Sequence, residues 1–526
     1  EDVNLYAADA ILTDACGWSG AGVHAERLTA FGEKVGSAQA QEWCAQANAN
    51  PPVFKPYDRF GRRIDEVSFH PAYHELMALG LGAGVAGAAW NVSEAGHSLH
   101  AALLFLMGQA DYGVCCPMSM TYAVRPALDA APDVAAEWGP RVTVEDYDPR
   151  FIPAAEKRAA TMGMAMTEKQ GGSDVRANST KAERQTDGSY VLTGHKWFCS
   201  APMCDAFLTL AYADEGLTCF LVPRWTSSGE RNPMEIQRLK DKLGDRSNAS
   251  SEIEYRGAWA SRVGEEGRGV RTIIEMVQLT RFDCVIGSAT QMRHALSLAA
   301  HHVQGRAAFQ KKLIDQPLMR AVIADLALDA EAAVALTFRL GMALDRAKDD
   351  PNEAALARIG LPLAKYLVTK RCPTVVAEAL ECFGGAGYVE EGPMPRLFRQ
   401  SPLNGIWEGS GNVIALDVMR ALAREPAAPA ALVAEIAAAD AGDGKFKTLS
   451  ENVEAVLARP PEEARARHNV EWLALAFAAA VLSRFAPAAV ADGFIARRLE
   501  SASLTFGAHG ASIDEDALIA RAALAT

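Results

Sequence analysis

Glu408 is the one acid in Asn404-Gly405-Ile406-Trp407-Glu408-Gly409-Ser410-Gly411-Asn412, set between an indole and a glycine. A carboxylate with apolar neighbours has its charged form disfavoured, which raises its pKa and suits it to take a proton from carbon. The plain alternative is a glutamate in a surface loop.

Four further segments carry groups suited to a ligand. Met164 to Asn178 reads MAMTEKQGGSDVRAN. Its Gly171-Gly172 pair lets backbone approach a ligand closely, and its turn N–H groups suit a pyrophosphate or the edge of a planar cofactor. In His195 to Ala201, HKWFCSA, Phe198 could lie against such a cofactor and Ser200 could hydrogen-bond it. Arg306, three residues before Phe309, and Gln316 could take a phosphate and an adenine. Glu381 to Tyr388 places Gly384, Gly385 and Gly387 after a long helical run, so backbone could lie flat on a ligand. Each has a bland counterpart: a Gly-rich surface turn, a half-buried strand, a solvated Arg and Gln, a helix C-cap.

The elements that must position these groups change character along the chain. Residues 1–162 read as helices joined by loops, with Asn50 to Arg63 a Pro- and Arg-rich irregular stretch. Residues 163–262 hold strand-length runs at Ser189–Gly194, Phe207–Ala213 and Leu217–Pro223, with turn signals at Asp187-Gly188 and Ser228-Gly229. Residues 263–425 are long Ala/Leu-rich helices. Glu425-Pro426-Ala427-Ala428-Pro429 marks a boundary, and residues 426–526 are helical again. The class expected is α+β and mostly α. A β segment in the middle does not fit alternating βαβ units, which disfavours a doubly wound nucleotide fold.

Bulk properties agree with a multidomain enzyme. The chain has 526 residues, 49% hydrophobic and 7% aromatic, so three or four domains are expected. A net charge of −13 repels a phosphate backbone at long range. Ten cysteines without a CxxC pair point to reduced thiols and a cytoplasmic location. The longest apolar run, Leu76 to Trp90, is too short and too glycine-rich to span a membrane.

In this order and at these separations, the five segments resemble the acyl-CoA dehydrogenase superfamily. MTEKQGGSDV (166–175), LKDKLGDRSNAS (239–250), LTRFDC (279–284) and IWEGSGN (406–412) are similar to its AidB-like branch, flavoproteins linked to the bacterial response to DNA alkylation. So is the early NPP…YD..GRR stretch that leads to FHPAYH. The resemblance covers nearly the whole chain. It implies an N-terminal helical domain (1–162), a central β-barrel-like domain (163–262), a C-terminal four-helix bundle (263–425) and an additional C-terminal helical domain (426–526).

The resemblance also implies FAD. Met166, Thr167, Gly172 and Ser173 would border the flavin and its phosphates. Phe198 stands where the family usually has Trp against the isoalloxazine, and Ser200 where it often has Thr near flavin N5. Arg306 and Gln316 match residues that reach the FAD of a neighbouring subunit, and Gly384 and Gly385 the turn near its adenine, which implies a homotetramer. Trp407, Gly409, Ser410 and Asn412 surround the base, Glu408, and hold the cofactor. Glu381, Lys169-Gln170 and Arg399-Gln400 depart from the family's Gln, Pro-Gly and Arg-Asp. Those departures bear on acyl-CoA turnover more than on FAD binding.

The implied reaction is α,β-dehydrogenation of a short or branched acyl-CoA. Glu408 takes the α-proton and the β-hydride moves to flavin N5, while a flavin ribityl hydroxyl and the base's own N–H hold the thioester oxygen. An electron-transfer flavoprotein or oxygen would accept the electrons. Two other readings follow from the branch: a retained flavin in a binding protein, or double-stranded DNA bound through residues 426–526. That last segment holds nine Lys/Arg against thirteen Asp/Glu, a net −4, where a DNA-binding domain is normally basic. Arg465, Arg467, Arg497 and Arg498 are its candidates for a local patch.

Two patterns are decoys. Gly82-x-Gly84-x-x-Gly87 matches a dinucleotide fingerprint but has no strand before it. His70 and His74 lack a third ligand, and His301-His302 is equally bland, so no metal is expected.

Overall fold

The computed structural model describes residues 2–440, 445–458, 462–500, 503–508 and 512–525. Asp443 and Arg459 of the charge count lie outside the described residues. Two compact units partition the chain: residues 37–92 with 110–280, and residues 2–36 with 93–109 and 281–526.

Strand-forming residues dominate the first unit after residue 161. Its strands are β1 (Val53–Tyr57), β2 (Arg63–Ser68), β3 (Met162–Ala165), β4 (Lys181–Arg184), β5 (Tyr190–Ser200), β6 (Ala206–Ala213), β7 (Gly216–Pro223), β8 (Met234–Leu239) and β9 (Ser250–Val263). Pairing runs β6–β7–β9–β5–β4 and returns from β4 to β6 at Lys181 opposite Tyr212. The ring is therefore barrel-like, with β3 added in parallel on β6 and β8 antiparallel on β9. Closure satisfies strand edges that would otherwise be open to another chain. Tyr190, Phe207, Phe220 and Tyr255 fill the interior. The expected turns are present, with Gly188 at φ 87° and Gly229 at φ 80°.

One stretch differs from its sequence reading. Residues 53–68 form the β1–β2 hairpin rather than an irregular segment. Asp58 closes the turn by accepting from the N–H groups of Phe60 (2.8 Å) and Arg62 (2.9 Å). Strands of five and six residues with a proline inside give too little periodicity to be read, and Pro56 is tolerable because it falls at the register shift between Lys55 and Tyr57.

The second unit is helical. Pro317–Arg346 and Pro351–Glu381 pack side by side, each opening with proline at its first turn, where the missing N–H costs nothing. Ile323 to Ala343 is buried without a break, the pattern of a helix covered on all sides. Its cover includes Ala10–Ser19, Ala466–Phe485 and Glu515–Ala522, while Gly411–Arg424 and Ala427–Ala437 pack on Pro351–Glu381. The described residues of 426–526 are thus built into this unit. Arg498 clamps Asp325 and Asp329, each at 2.8 Å, and Arg484 reaches Glu435 at 2.6 Å. Among the described residues no helix is long and apolar enough to cross a membrane.

Candidate active site

In the first unit the backbone leaves β3 at Met166 and folds back on β5. The Thr167 carbonyl accepts the Trp197 N–H at 2.8 Å, and the Lys169 N–H donates to His195 Nε2 at 3.0 Å. Under this loop Glu168 is fully buried. It accepts from the Ser179 N–H (2.7 Å), Ser179 Oγ (2.8 Å), Thr180 Oγ1 (2.6 Å) and Lys196 Nζ (2.9 Å). Lys196 is itself buried and also donates to the Leu210 carbonyl at 2.8 Å. Burial alone would raise the Glu168 pKa, but the Lys196 charge and the hydroxyl and amide donors outweigh it and hold the carboxyl at about 2.

That anchor holds Thr167 against the strand that carries Phe198 and Ser200, with Met166 before it in the chain and Gly172 lying against the Thr167 side chain. A Cβ at Gly172 would sit 2.5 Å from Thr167 Oγ1, so any side chain there would have to displace the Thr167 hydroxyl. Ser173 is exposed. Along β5 the even-numbered residues Tyr190, Leu192 and Lys196 point inward, but a bulge between Lys196 and Cys199 shifts the register, so Cys199 takes the inner position. The bulge turns Phe198 outward, 47% exposed, which is the re-aiming such irregularities perform. Ser200 Oγ lies 3.1 Å from Ser250 Oγ, and Lys240 Nζ lies 4.7 Å from the Phe198 ring centre.

In the second unit Glu408 occupies the left-handed region at φ 57°, followed by Gly409 at φ 107°. A non-glycine residue there is uncommon, and such strain concentrates at functional sites. Buried cations hold the loop from behind. Lys365 Nζ donates to the carbonyls of Asn404 (3.0 Å), Trp407 (3.0 Å) and Gly409 (2.7 Å). Arg281 Nε donates to the Glu408 carbonyl at 3.0 Å while its Nη1 pairs with Asp417 at 2.8 Å. Burial lowers the Lys365 pKa, and the neighbouring Cys284 and Glu408 oppose that shift. Trp407 Nε1 donates to Asn404 Oδ1 at 2.8 Å, which fixes the indole. Ser410 stands at the N-cap of Gly411–Arg424, and Asn412 Oδ1 accepts from Arg467 Nη1 at 3.2 Å.

The remaining candidates sit elsewhere in this unit. Gly384 (φ 58°) and Gly385 are exposed past the end of Pro351–Glu381, with open space where a Cβ would be. Sixteen residues of helix separate Lys365 from Glu381, about 24 Å at 1.5 Å per residue, so one chain does not bring these glycines to Glu408. Arg306 and Gln316 are instead gathered at a small hairpin: the Arg306 carbonyl accepts the Leu313 N–H at 2.8 Å, and Gln316 Nε2 reaches the Ala308 carbonyl at 3.3 Å. Phe309 at the hairpin tip is 94% exposed.

Other sequence features find structural roles. His70 caps Pro71–Gly82, and His74 Nδ1 lies 2.8 Å from the Tyr147 hydroxyl. Among the described residues no group of three His, Cys, Asp or Glu could hold a metal ion. A Cβ on Gly87 would strike the Thr143 carbonyl, so that glycine serves close packing. In the last segment Arg484, Arg498 and Arg521 are paired with carboxylates and Arg497 is buried. Lys365, Arg281, Glu168 and Lys196 escaped the sequence reading. Lys365 had a signal: it is a lone charge in the run Ile359 to Val368.

Comparison with known proteins fits this arrangement. Residues 1–149 match the family described as adaptive response protein AidB N-terminal domain. Residues 163–258 match the acyl-CoA dehydrogenase middle domain, and residues 267–423 the acyl-CoA dehydrogenase C-terminal domain. The chain is 44% identical to AidB of Escherichia coli K12 over 88% of this chain and 85% of that protein. The structure of Caenorhabditis elegans ACDH-11 in complex with C11-CoA superposes with a TM-score of 0.84 at 28% identity, covering 93% of this chain and 88% of that one. An acyl-CoA dehydrogenase from Bacillus anthracis complexed with FAD shares the fold, with a TM-score of 0.61 at 17% identity over 82% of this chain and 78% of that one. This chain belongs to the acyl-CoA dehydrogenase superfamily, in its AidB branch.

Proposed function

We propose that this protein is an FAD-dependent oxidoreductase that desaturates an acyl-CoA thioester between Cα and Cβ, with Glu408 as the base. The observation that carries the reading is the left-handed Glu408 between Trp407 and Gly409, on a loop held by two buried cations.

The residues present fit FAD. Phe198 offers an exposed aromatic face, Thr167, Ser173 and Ser200 offer hydroxyls, Gly172 offers exposed backbone, and Gly384 and Gly385 offer backbone with open space beside it. Met166, Gly409, Ser410 and Asn412 complete the set that would hold it. FAD, when bound, supplies the acceptor for the two electrons leaving the acyl chain. The protein's own part is to place the Glu408 carboxylate at the α-carbon and the Glu408 N–H at the thioester oxygen, where charge develops as the proton leaves. The acyl chain belongs to a class running from short branched groups to the eleven-carbon chain bound by ACDH-11. Self-association is part of the same reading: exposed Phe309 (94%), Leu318 (81%) and Tyr388 (86%) are apolar surface that a second copy would cover.

The test is an anaerobic titration of the yellow protein with acyl-CoAs across that range, following the visible flavin band. Bleaching by one of them is the expected result. Full reduction by dithionite with no bleaching by any thioester would overturn the reading.

A further inference from the structure

Three successive carbonyls of the Glu408 loop face buried cations: those of Trp407 and Gly409 face Lys365, and that of Glu408 faces Arg281. Among the described residues no peptide bond is cis, and in a trans peptide the carbonyl and the following N–H point in opposite directions. With the Trp407 carbonyl turned toward Lys365, the Glu408 N–H is turned away from it. The Ser410 N–H is turned away for the same reason, through the Gly409 carbonyl. Lys365 is 1% exposed, and its three hydrogen bonds match the three protons of an ammonium.

Resting on the assignment of Glu408 as base, we infer that Lys365 is a positioning residue, whose ammonium fixes the peptide planes of residues 407–409 so that the Glu408 N–H is presented to the thioester oxygen while the Glu408 carboxylate reaches the α-carbon. Lys365 acts through the backbone and touches neither substrate nor cofactor. Holding one peptide by its carbonyl thereby aims both groups that the proton transfer needs, the acid side chain and the amide donor. A residue serving only to fill space at this position would be replaceable by an apolar side chain of the same length.

The experiment follows exchange of the acyl α-hydrogen with solvent deuterium, by mass spectrometry, in the anaerobic FAD-loaded protein. It reads proton abstraction and return without net oxidation. The wild type, Lys365→Met, Lys365→Arg and Glu408→Gln are compared with the same thioester. Lys365→Met is expected to keep its FAD content and bind the thioester with affinity within about threefold, while its exchange falls roughly 10²–10³-fold, the loss typical of one misplaced oxyanion donor. A folded Lys365→Met that exchanges at the wild-type rate overturns the inference. So does a rate and an affinity that fall together in proportion. If Lys365→Met does not fold, Lys365→Arg decides. Its planar guanidinium cannot meet three carbonyls arranged for an ammonium, so slower exchange at unchanged affinity supports the inference and unchanged exchange overturns it. Loss of exchange in Glu408→Gln separates the two layers. If that variant exchanges like the wild type, the base assignment itself fails and this inference falls with it.

Discussion

Glu168→Gln neutralises the carboxylate beneath the Met166–Ser173 loop and leaves the Lys196 ammonium facing a neutral amide, with neither side chain exposed to solvent. The Glu168 pKa stands at about 2 against an ordinary 4.5. At 1.36 kcal/mol per unit this is about 3 kcal/mol of stability at neutral pH. Breaking a buried pair by removing one partner costs roughly 3–5 kcal/mol, and the lowered Lys196 pKa opposes part of the Glu168 gain, so about 3 kcal/mol is the loss expected. For a unit of this size each kcal/mol moves the melting temperature by about 2–4 °C, which predicts a fall of roughly 6–12 °C. The assay is differential scanning calorimetry of the FAD-free protein, because bound FAD would add its own stabilisation and mask the change. The sign with pH follows from the depressed pKa. The contribution is fully present above about pH 4.5 and is lost as pH falls toward 2, so the gap between wild type and variant closes in acid. Glu168→Gln combined with Lys196→Met removes both charges and is expected to melt above Glu168→Gln alone. A single variant that melts within about 2 °C of wild type at neutral pH would refute the reasoning, because the pair would then carry no net stability.

Three other outcomes are expected. Glu408→Gln should keep its FAD while the rate of flavin reduction by thioester, measured by anaerobic stopped flow, drops roughly 10²–10⁴-fold; a rate within a factor of two of wild type removes Glu408 from the base role. Phe309→Ser withdraws the 94% exposed ring from the hairpin tip and should shift the protein to smaller species in sedimentation velocity, whereas an unchanged distribution rules that ring out of the self-association surface. Arg498→Met removes the guanidinium that pairs with buried Asp325 and Asp329, so the second unit should lose about 3–5 kcal/mol and melt lower. A melting curve like the wild type's would show that the last segment is not tied to Pro317–Arg346 through this clamp.

What could be read from the sequence was motif, texture and order. The runs Phe207–Ala213 and Leu217–Pro223 emerge as β6 and β7, because continuous apolar and β-branched residues bounded by turns leave little choice. The hairpin at 53–68 and the short strand β4 were not readable, since four to six residues carry too little period. Phe198 was singled out as an aromatic of the HKWFCSA segment, but alternation along β5 would have turned it inward, and only the bulge after Lys196 turns it outward. The segment 426–526 read as a further domain by composition. Its packing into the bundle depends on pairings such as Arg498 with Asp325, 173 residues apart, and no local pattern announces them.

Glu168 and Lys365 show why the site's supports are harder to read than its chemistry. The proposed base announces itself locally, as a lone acid among apolar and glycine neighbours. Its support comes from another helix: Lys365 precedes the carbonyls it holds by 39 to 44 residues. The strain it opposes is real, since a non-glycine residue in a sparsely populated region costs about 1–3 kcal/mol. Three charge-assisted hydrogen bonds, each contributing on the order of 1.5–3 kcal/mol, offset that cost and part of the cost of burying the ammonium. The same trade appears under the Gly171-Gly172 loop, where Glu168 is satisfied by Lys196 and by the hydroxyl and amide donors of Ser179 and Thr180. In both places a flexible or strained backbone is held by a fully buried charge on a rigid neighbour. A surface charge could not do this, because solvent screening would leave each contact worth little. Loops that must present N–H groups and a carboxylate in fixed directions therefore need their clamps inside the protein, and Lys365, a lone charge in the apolar run Ile359 to Val368, is the trace that one such clamp leaves in the sequence.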